Sequence, residues 1–436
     1  MKREAIPYRA TNQIFLQKDK NYIQQYSHIY LKRLLSFREL LQKKIAEQAK
    51  VVDRVIDLRV GDYVGVIGTI YKEQKLKPCV LDEFSNDFGI NIRENLENYC
   101  GPDDFLLLED ESGRCNLVGE KIEWEEQIST TVTGVVVACI GTLNETGDFV
   151  VSKLMFPGEV IPRTINPPPQ SWRDRPRYLL LSSDLRVGAT SENYSTSLQL
   201  LLEYIAGTLN PEIGSSICRF VIAGGALINP LAVKDINIDS KITSESQEQL
   251  ADPIRVADRY FAELASLLPV DLMPGAFDPS NTSLPQQPLH HCLFPNAARF
   301  TTFKRATNPH SFVLDKDFSV LGTSGQPIID ALHYVKPGLT PLSLLETMLL
   351  RYRHLAPTAP DTLACYPFFD RDPFVLDQKA DANLFFAGGL NAFETSFLQG
   401  TRFVCIPSFF ETKEVVLVDL SSEHLEATLV KFNVHL

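Results

Sequence analysis

Five short loops hold the side chains of this sequence whose types could do chemistry. They read Ser183-Asp184-Leu185-Arg186-Val187-Gly188, Ala223-Gly224-Gly225-Ala226-Leu227-Ile228, Pro274-Gly275-Ala276-Phe277-Asp278, Leu321-Gly322-Thr323-Ser324-Gly325-Gln326 and Ala387-Gly388-Gly389-Leu390-Asn391. Each follows or closes an apolar, strand-like run, and in layered α/β sheets active sites gather at the loops after strand C-termini. Asp184 and Asp278 are the carboxylates on offer there, for metal binding or proton transfer. Ser324 lies in Gly-Thr-Ser-Gly and lacks the Gly-x-Ser-x-Gly elbow of a hydrolase nucleophile. No Walker lysine accompanies the glycines, so they do not read as a phosphate cradle.

Outside those loops, His290-His291 follows the Pro-rich run Leu284-Pro285-Gln286-Gln287-Pro288-Leu289. Adjacent imidazoles seldom hold one ion together, and a packing or capping role is expected. His354, in Arg351-Tyr352-Arg353-His354-Leu355, is expected to be a hydrogen-bonded structural histidine. The eight cysteines include no Cys-x-x-Cys pair, which argues against a structural zinc clip or a thioredoxin-like centre. Residues such as Cys139 and Cys405 are expected to be small buried hydrophobes.

The elements that must carry the loops are legible in outline. Strands are expected at Arg177–Ser182, Phe220–Ala223, Val270–Met273, Ser319–Leu321, Leu384–Ala387, Arg402–Ile406 and Glu414–Leu420, with helices over Ser197–Leu209 and Val256–Leu268. Upstream, Tyr63–Ile70, a Phe105–Leu108/Cys115–Val118 hairpin and a Thr131–Ile140/Phe149–Leu154 hairpin suit a small OB-type barrel. Before it, Tyr30, Leu34, Phe37, Leu41 and Ile45 mark one face of a helix with Ser27 as its N-cap, and Lys32, Arg33, Lys43 and Lys44 are expected on its wetter side. Pro167-Pro168-Pro169 punctuates the chain. The expected division is a helical segment 1–50, an OB domain 51–162, a Pro-rich linker 163–176 and an α/β domain 177–436.

Composition bounds the function classes. The 436 residues are 44% apolar with a net charge of −12. Residues 1–50 carry eleven Lys and Arg against four Asp and Glu, so the acidity belongs to the rest. That balance argues against a protein whose main task is gripping nucleic acid through its phosphates. An OB barrel can bind single strands, but the acidic loops here (Asp103, Asp104, Glu109, Asp110, Glu111) favour a protein-binding or structural barrel. No apolar run approaches the ~20 residues of a membrane span. A soluble intracellular chain is expected.

The loop series resembles the calcineurin-like metallophosphoesterases, whose ordered motifs are D-x-H, G-D-x-x-D, G-N-H-D/E, a lone H, and G-H-x-H. The resemblance implies a two-sheet αββα sandwich with a degenerate metal site. Asp184 takes the Asp of the first motif, while Arg186 stands where its His belongs. Gly225 replaces the metal-bridging Asp. Ala276 and Phe277 replace the Asn–His pair, Asp278 survives, Ser324 takes the lone-His place, and Gly389 and Asn391 replace the last two histidines. Two divalent ions held together need several anionic or imidazole ligands, and a permanent cation at 186 works against them. No catalytic residue, metal or cofactor is therefore expected.

An OB barrel followed by such a domain resembles the B-subunits of eukaryotic replicative DNA polymerases. Val270–Asn281 continuing through Leu284–His290, Leu321–Gln326, Arg353–Leu363 with Tyr366-Pro367-Phe368, and Tyr26–Tyr30 with Arg33-Leu34 are similar to the delta branch of that family. The resemblance implies a nuclear, non-catalytic subunit that scaffolds the Cys-rich C-terminal module of the polymerase delta catalytic subunit and a third, smaller subunit. It would meet the sliding clamp and DNA mainly through the holoenzyme, with no membrane contact. The alternative is a divergent metal-dependent phosphodiesterase or 3′-exonuclease, using Asp184, Asp278 and outlying groups such as Asn308 or Asn391.

Overall fold

The computed structural model describes residues 3, 5–18, 21–78, 96–119, 121–189, 192–228, 244–377 and 381–433. Cys79, Lys2 and His435 lie outside them. The chain forms two compact units that are discontinuous in sequence. One comprises residues 21–164 and 327–380, the other 1–20, 165–326 and 381–436. Strand pairing and a buried ion pair bring segments distant in sequence into each unit.

In the first unit a six-stranded sheet runs Lys50–Val52, Tyr63–Glu73, Phe105–Glu109, Arg114–Val118, Asp148–Met155, Val136–Leu143. Tyr63–Glu73 pairs back with Val136–Leu143, which closes the barrel. Both expected hairpins are present. The helix Ser27–Ala46 packs on the barrel through Leu34, Phe37, Leu41 and Ile45. The approach is close: a Cβ at Gly65 would meet Ile45 Cγ2 at 2.1 Å. Ser27 is the first helical residue rather than the cap, and Tyr26 occupies the cap position without a side-chain bond.

Arg33 corrects the expected wet face, for it is fully buried. Its guanidinium donates Nε to Asp372 at 2.7 Å, Nη1 to the carbonyls of Gly134 (2.9 Å) and Pro357 (2.8 Å), and Nη2 to that of Ala359 (2.6 Å). Asp372 Oδ2 also lies 2.9 Å from His354 Nε2, and the Ala356 amide donates to His354 Nδ1 at 3.2 Å. His354 is thus the structural histidine expected. Burial, helped by the Arg33 charge, drives its pKa down to about 4 against the pull of Asp372. Burial would raise the Asp372 carboxyl, but Arg33 and His354 outweigh it and hold the group below the ordinary carboxylate range.

The second unit is built on two six-stranded sheets. One runs Tyr8–Ala10, His310–Leu314, Phe318–Thr323, Leu384–Leu390, Thr401–Pro407, Glu394–Leu398; the other runs Phe303–Arg305, Val270–Met273, Ile217–Ala223, Tyr178–Ser182, Glu414–Asp419, Ala427–Lys431. Leu179, Leu181, Val221 and Met273 of the second share one apolar cluster with Phe312, Val320, Phe386 and Val404 of the first. Leu180, Phe220, Ile222 and Leu272 point the other way, into a cluster with Leu201, Ile205, Phe261 and Leu264 of the helices Glu192–Ala206 and Ser244–Leu267. The near-continuous apolar runs of these strands follow from burial on both faces. Among the described residues no helix is long and apolar enough to cross a membrane.

Candidate functional site

The parallel strands Tyr178–Ser182, Ile217–Ala223 and Val270–Met273, with Phe318–Thr323 and Leu384–Leu390 of the other sheet, bring all five loops to one place. Backbone bonds lock them together. The Asp184 amide donates to the Gly224 carbonyl at 2.8 Å and the Arg186 amide to that of Gly225 at 2.9 Å. Ser183 Oγ donates to the Ala223 carbonyl at 3.0 Å and accepts from the Gly389 amide at 2.5 Å.

Asp184 is already engaged. Arg186 Nε and Nη2 donate to its two oxygens, both at 2.8 Å, in the bidentate fork that guanidinium favours. Ser408 Oγ donates to Asp184 Oδ2 at 2.5 Å, and Arg186 is further held over the Phe410 ring at 4.4 Å. Both Asp184 and Arg186 have positive φ, 57° and 38°. These are uncommon values for side-chain-bearing residues, and they fold the two side chains onto each other.

Gly225 leaves no room for a carboxylate. With φ at +64°, a Cβ there would lie 2.6 Å from Asp184 Cα and 2.7 Å from its Oδ1. Gly275 is as tight, with a Cβ position 2.5 Å from the Gly225 nitrogen. Asp278 is buried and accepts from the amides of Gly275 (2.8 Å), Leu227 (3.0 Å) and Ala226 (3.2 Å). Burial raises its pKa, and those amides pull the other way. Its role is to tie two loops together.

Ser324 and Asn308 form a separate amide network. Asn308 Nδ2 has three acceptors for its two hydrogens, Ser324 Oγ at 2.5 Å and the side-chain oxygens of Gln286 and Gln326 at 2.9 Å; Ser324 Oγ donates to Gln326 Oε1 at 2.7 Å. Ala276, Phe277 and Asn391 are exposed. The structure therefore gathers the nine loop positions, yet Asp184, Asp278, Ser324 and Asn308 are engaged with other side chains or with backbone. The donor set does not fit a pair of divalent ions. Among the described residues, three His, Cys, Asp or Glu side chains converge suitably for a metal only at His290, His291 and Cys292, outside these loops.

Sequence reasoning missed Ser408 and Phe410. The signal was available, since both follow the strand Thr401–Pro407, which runs parallel to Leu384–Leu390 and so ends at the same sheet edge. His290 does cap, its Nδ1 accepting from the Cys292 amide. Cys292 itself is exposed, unlike the buried Cys139 and Cys405.

A barrel unit joined to a two-sheet unit with this closed loop cluster defines the class, and comparison with known proteins is specific. Residues 25–154 match the OB-fold domain of the DNA polymerase delta subunit, and residues 179–387 match the B-subunit family of DNA polymerases alpha and epsilon. The DNA polymerase delta small subunit of Arabidopsis thaliana is 38% identical, over 99% of this chain and 96% of that protein. The protein of the same name from Oryza sativa is 37% identical over 99% of both chains, and DNA polymerase delta subunit 2 of Drosophila melanogaster is 35% identical over 98% and 97%. A solved archaeal phosphodiesterase aligns with 58% of this chain and 98% of its own at 8% identity, with a TM-score of 0.29, too slight a likeness to carry weight. This chain belongs to the DNA polymerase delta small-subunit family, the accessory subunits of that polymerase.

Proposed function

We propose that the chain serves polymerase delta as a non-catalytic scaffold in the nucleus. In this reading it holds the Cys-rich C-terminal module of the catalytic subunit and a third, smaller subunit, and it meets DNA and the sliding clamp through the assembled enzyme. Its two-sheet unit is a calcineurin-like phosphoesterase fold, an αββα sandwich whose metal site has degenerated. One observation carries the non-catalytic part: Asp184 is neutralised by the bidentate Arg186 fork. A carboxylate so paired offers an incoming cation little net charge. The net charge of −12 also suits a partner with basic character, because complementary charge speeds and orients docking.

Co-expression of the full chain with the C-terminal region of its catalytic subunit tests the reading. Stoichiometric recovery of that region on the tagged chain is expected at moderate salt. Failure to recover it, with both chains soluble, would contradict the scaffold role.

A further inference from the structure

We propose that His290, His291 and Cys292 form a surface site for a borderline-soft transition ion of the zinc class. The three residues follow one another, and one ligand atom from each lies within 4.8 Å of the others. His291 Nε2 and Cys292 Sγ are 3.7 Å apart. A tetrahedral ion with Zn–N of ~2.0 Å and Zn–S of ~2.3 Å sets such a pair about 3.5 Å apart, so this edge of the polyhedron is nearly formed. The imidazole rings of His290 and His291 lie 4.3 Å apart between centroids.

The backbone beneath the three side chains is fixed. His291–Leu293 is a 3₁₀ turn, closed by Leu293 and Phe294 amides donating to the His290 and His291 carbonyls, both at 3.1 Å. Leu289 before it and Phe294 after it are fully buried in one apolar cluster. Arg305 Nη1 donates to the Leu289 carbonyl at 2.8 Å. Side chains on an anchored turn lose less freedom when they close on an ion than the same residues on a mobile loop.

The donor set selects the ion. Two imidazoles and a thiolate suit zinc or cobalt, whereas Mg²⁺ and Ca²⁺ take oxygen. His290 Nδ1 accepts from the Cys292 amide at 3.3 Å, a long bond, so the neutral ring carries its proton on Nε2. It ligates by turning Nδ1 from that cap to the ion. The chain fills three positions and leaves the fourth to water.

Full-length protein, stripped with chelator and kept reduced, is titrated with Co²⁺ and then with competing Zn²⁺. The expected result is a thiolate-to-cobalt charge-transfer band with the intense visible bands of tetrahedral cobalt, all removed by Zn²⁺. Cys292→Ser abolishes the charge-transfer band, and His291→Ala weakens zinc competition by about tenfold or more. These side chains are exposed, and a matching melting temperature for each variant excludes unfolding as the cause. Weak octahedral cobalt spectra from the unmodified chain, or a charge-transfer band that survives in Cys292→Ser, would overturn the proposal.

Discussion

Asp372 and Asp184 each hold an arginine at hydrogen-bond length, 2.7 Å from Arg33 in one unit and 2.8 Å from Arg186 in the other. The surroundings make them different objects. Arg33 and Asp372 are 339 residues apart and wholly shielded from water, and the guanidinium gives its remaining donors to carbonyls from two further segments. Arg186 and Asp184 are two residues apart, and a third of the arginine side chain is exposed. The first pair stitches distant chain together. The second satisfies a local carboxylate at a sheet edge.

The largest effect should follow from breaking the buried pair. Arg33→Ala leaves Asp372 as an uncompensated buried charge and orphans three carbonyls, at a cost of about 3–5 kcal/mol. Denaturant unfolding followed on a barrel probe reads this directly. Arg33→Lys should recover only part of the loss, because an ammonium cannot reproduce the fork.

The same cluster gives a pH signature. The folded pKa of His354 is about 4, below the unfolded value near 6.5, so the unfolded chain binds more protons between those limits. Stability from this group is complete above about pH 6.5 and is lost as pH falls towards 4, by at most about 3 kcal/mol. The depressed Asp372 carboxyl contributes stability above its unfolded pKa and loses it at still lower pH. His354→Gln should flatten the slope between pH 6.5 and 4, and an unchanged slope would assign it elsewhere.

At the sheet edge the effects shrink. Gly225→Ala places a Cβ against Asp184 in a left-handed conformation and should cost about 1–3 kcal/mol, measurable as a shifted unfolding midpoint. Asp184→Asn removes the charge of the partly exposed pair and keeps one oxygen to accept a bond, and should cost about 1 kcal/mol. If Asp184→Asn proved as damaging as Arg33→Ala, the contrast between the two pairs would fail.

Much of this architecture is legible in residue patterns. The strands that carry the loops read correctly because burial on both faces makes them continuous apolar runs, as in Leu179-Leu180-Leu181 and Phe220-Val221-Ile222. The short strand Tyr8–Ala10 had no such signal, and its place comes from pairing with His310–Leu314. Arg33 was misplaced by weighing charge over position. It falls in the series Ile29, Arg33, Phe37, Leu41, Ile45, spaced four apart and all buried, so its spacing marked it for the apolar face. Its partner 339 residues away is a tertiary fact that helical periodicity does not encode. At the loops, residue types led to the expectation of a depleted ligand set. The 2.6 Å approach at Gly225 needed coordinates, because backbone proximity leaves no trace beyond the glycine itself.

Whether the Asp184 cluster hydrolyses phosphodiesters is decided by assaying the full chain, purified without chelator, on a labelled single-stranded oligonucleotide with Mn²⁺. No product above the protein-free blank is expected, for the unmodified chain and for Asp184→Ala alike. Cleavage by the unmodified chain that Asp184→Ala abolishes would contradict the non-catalytic reading.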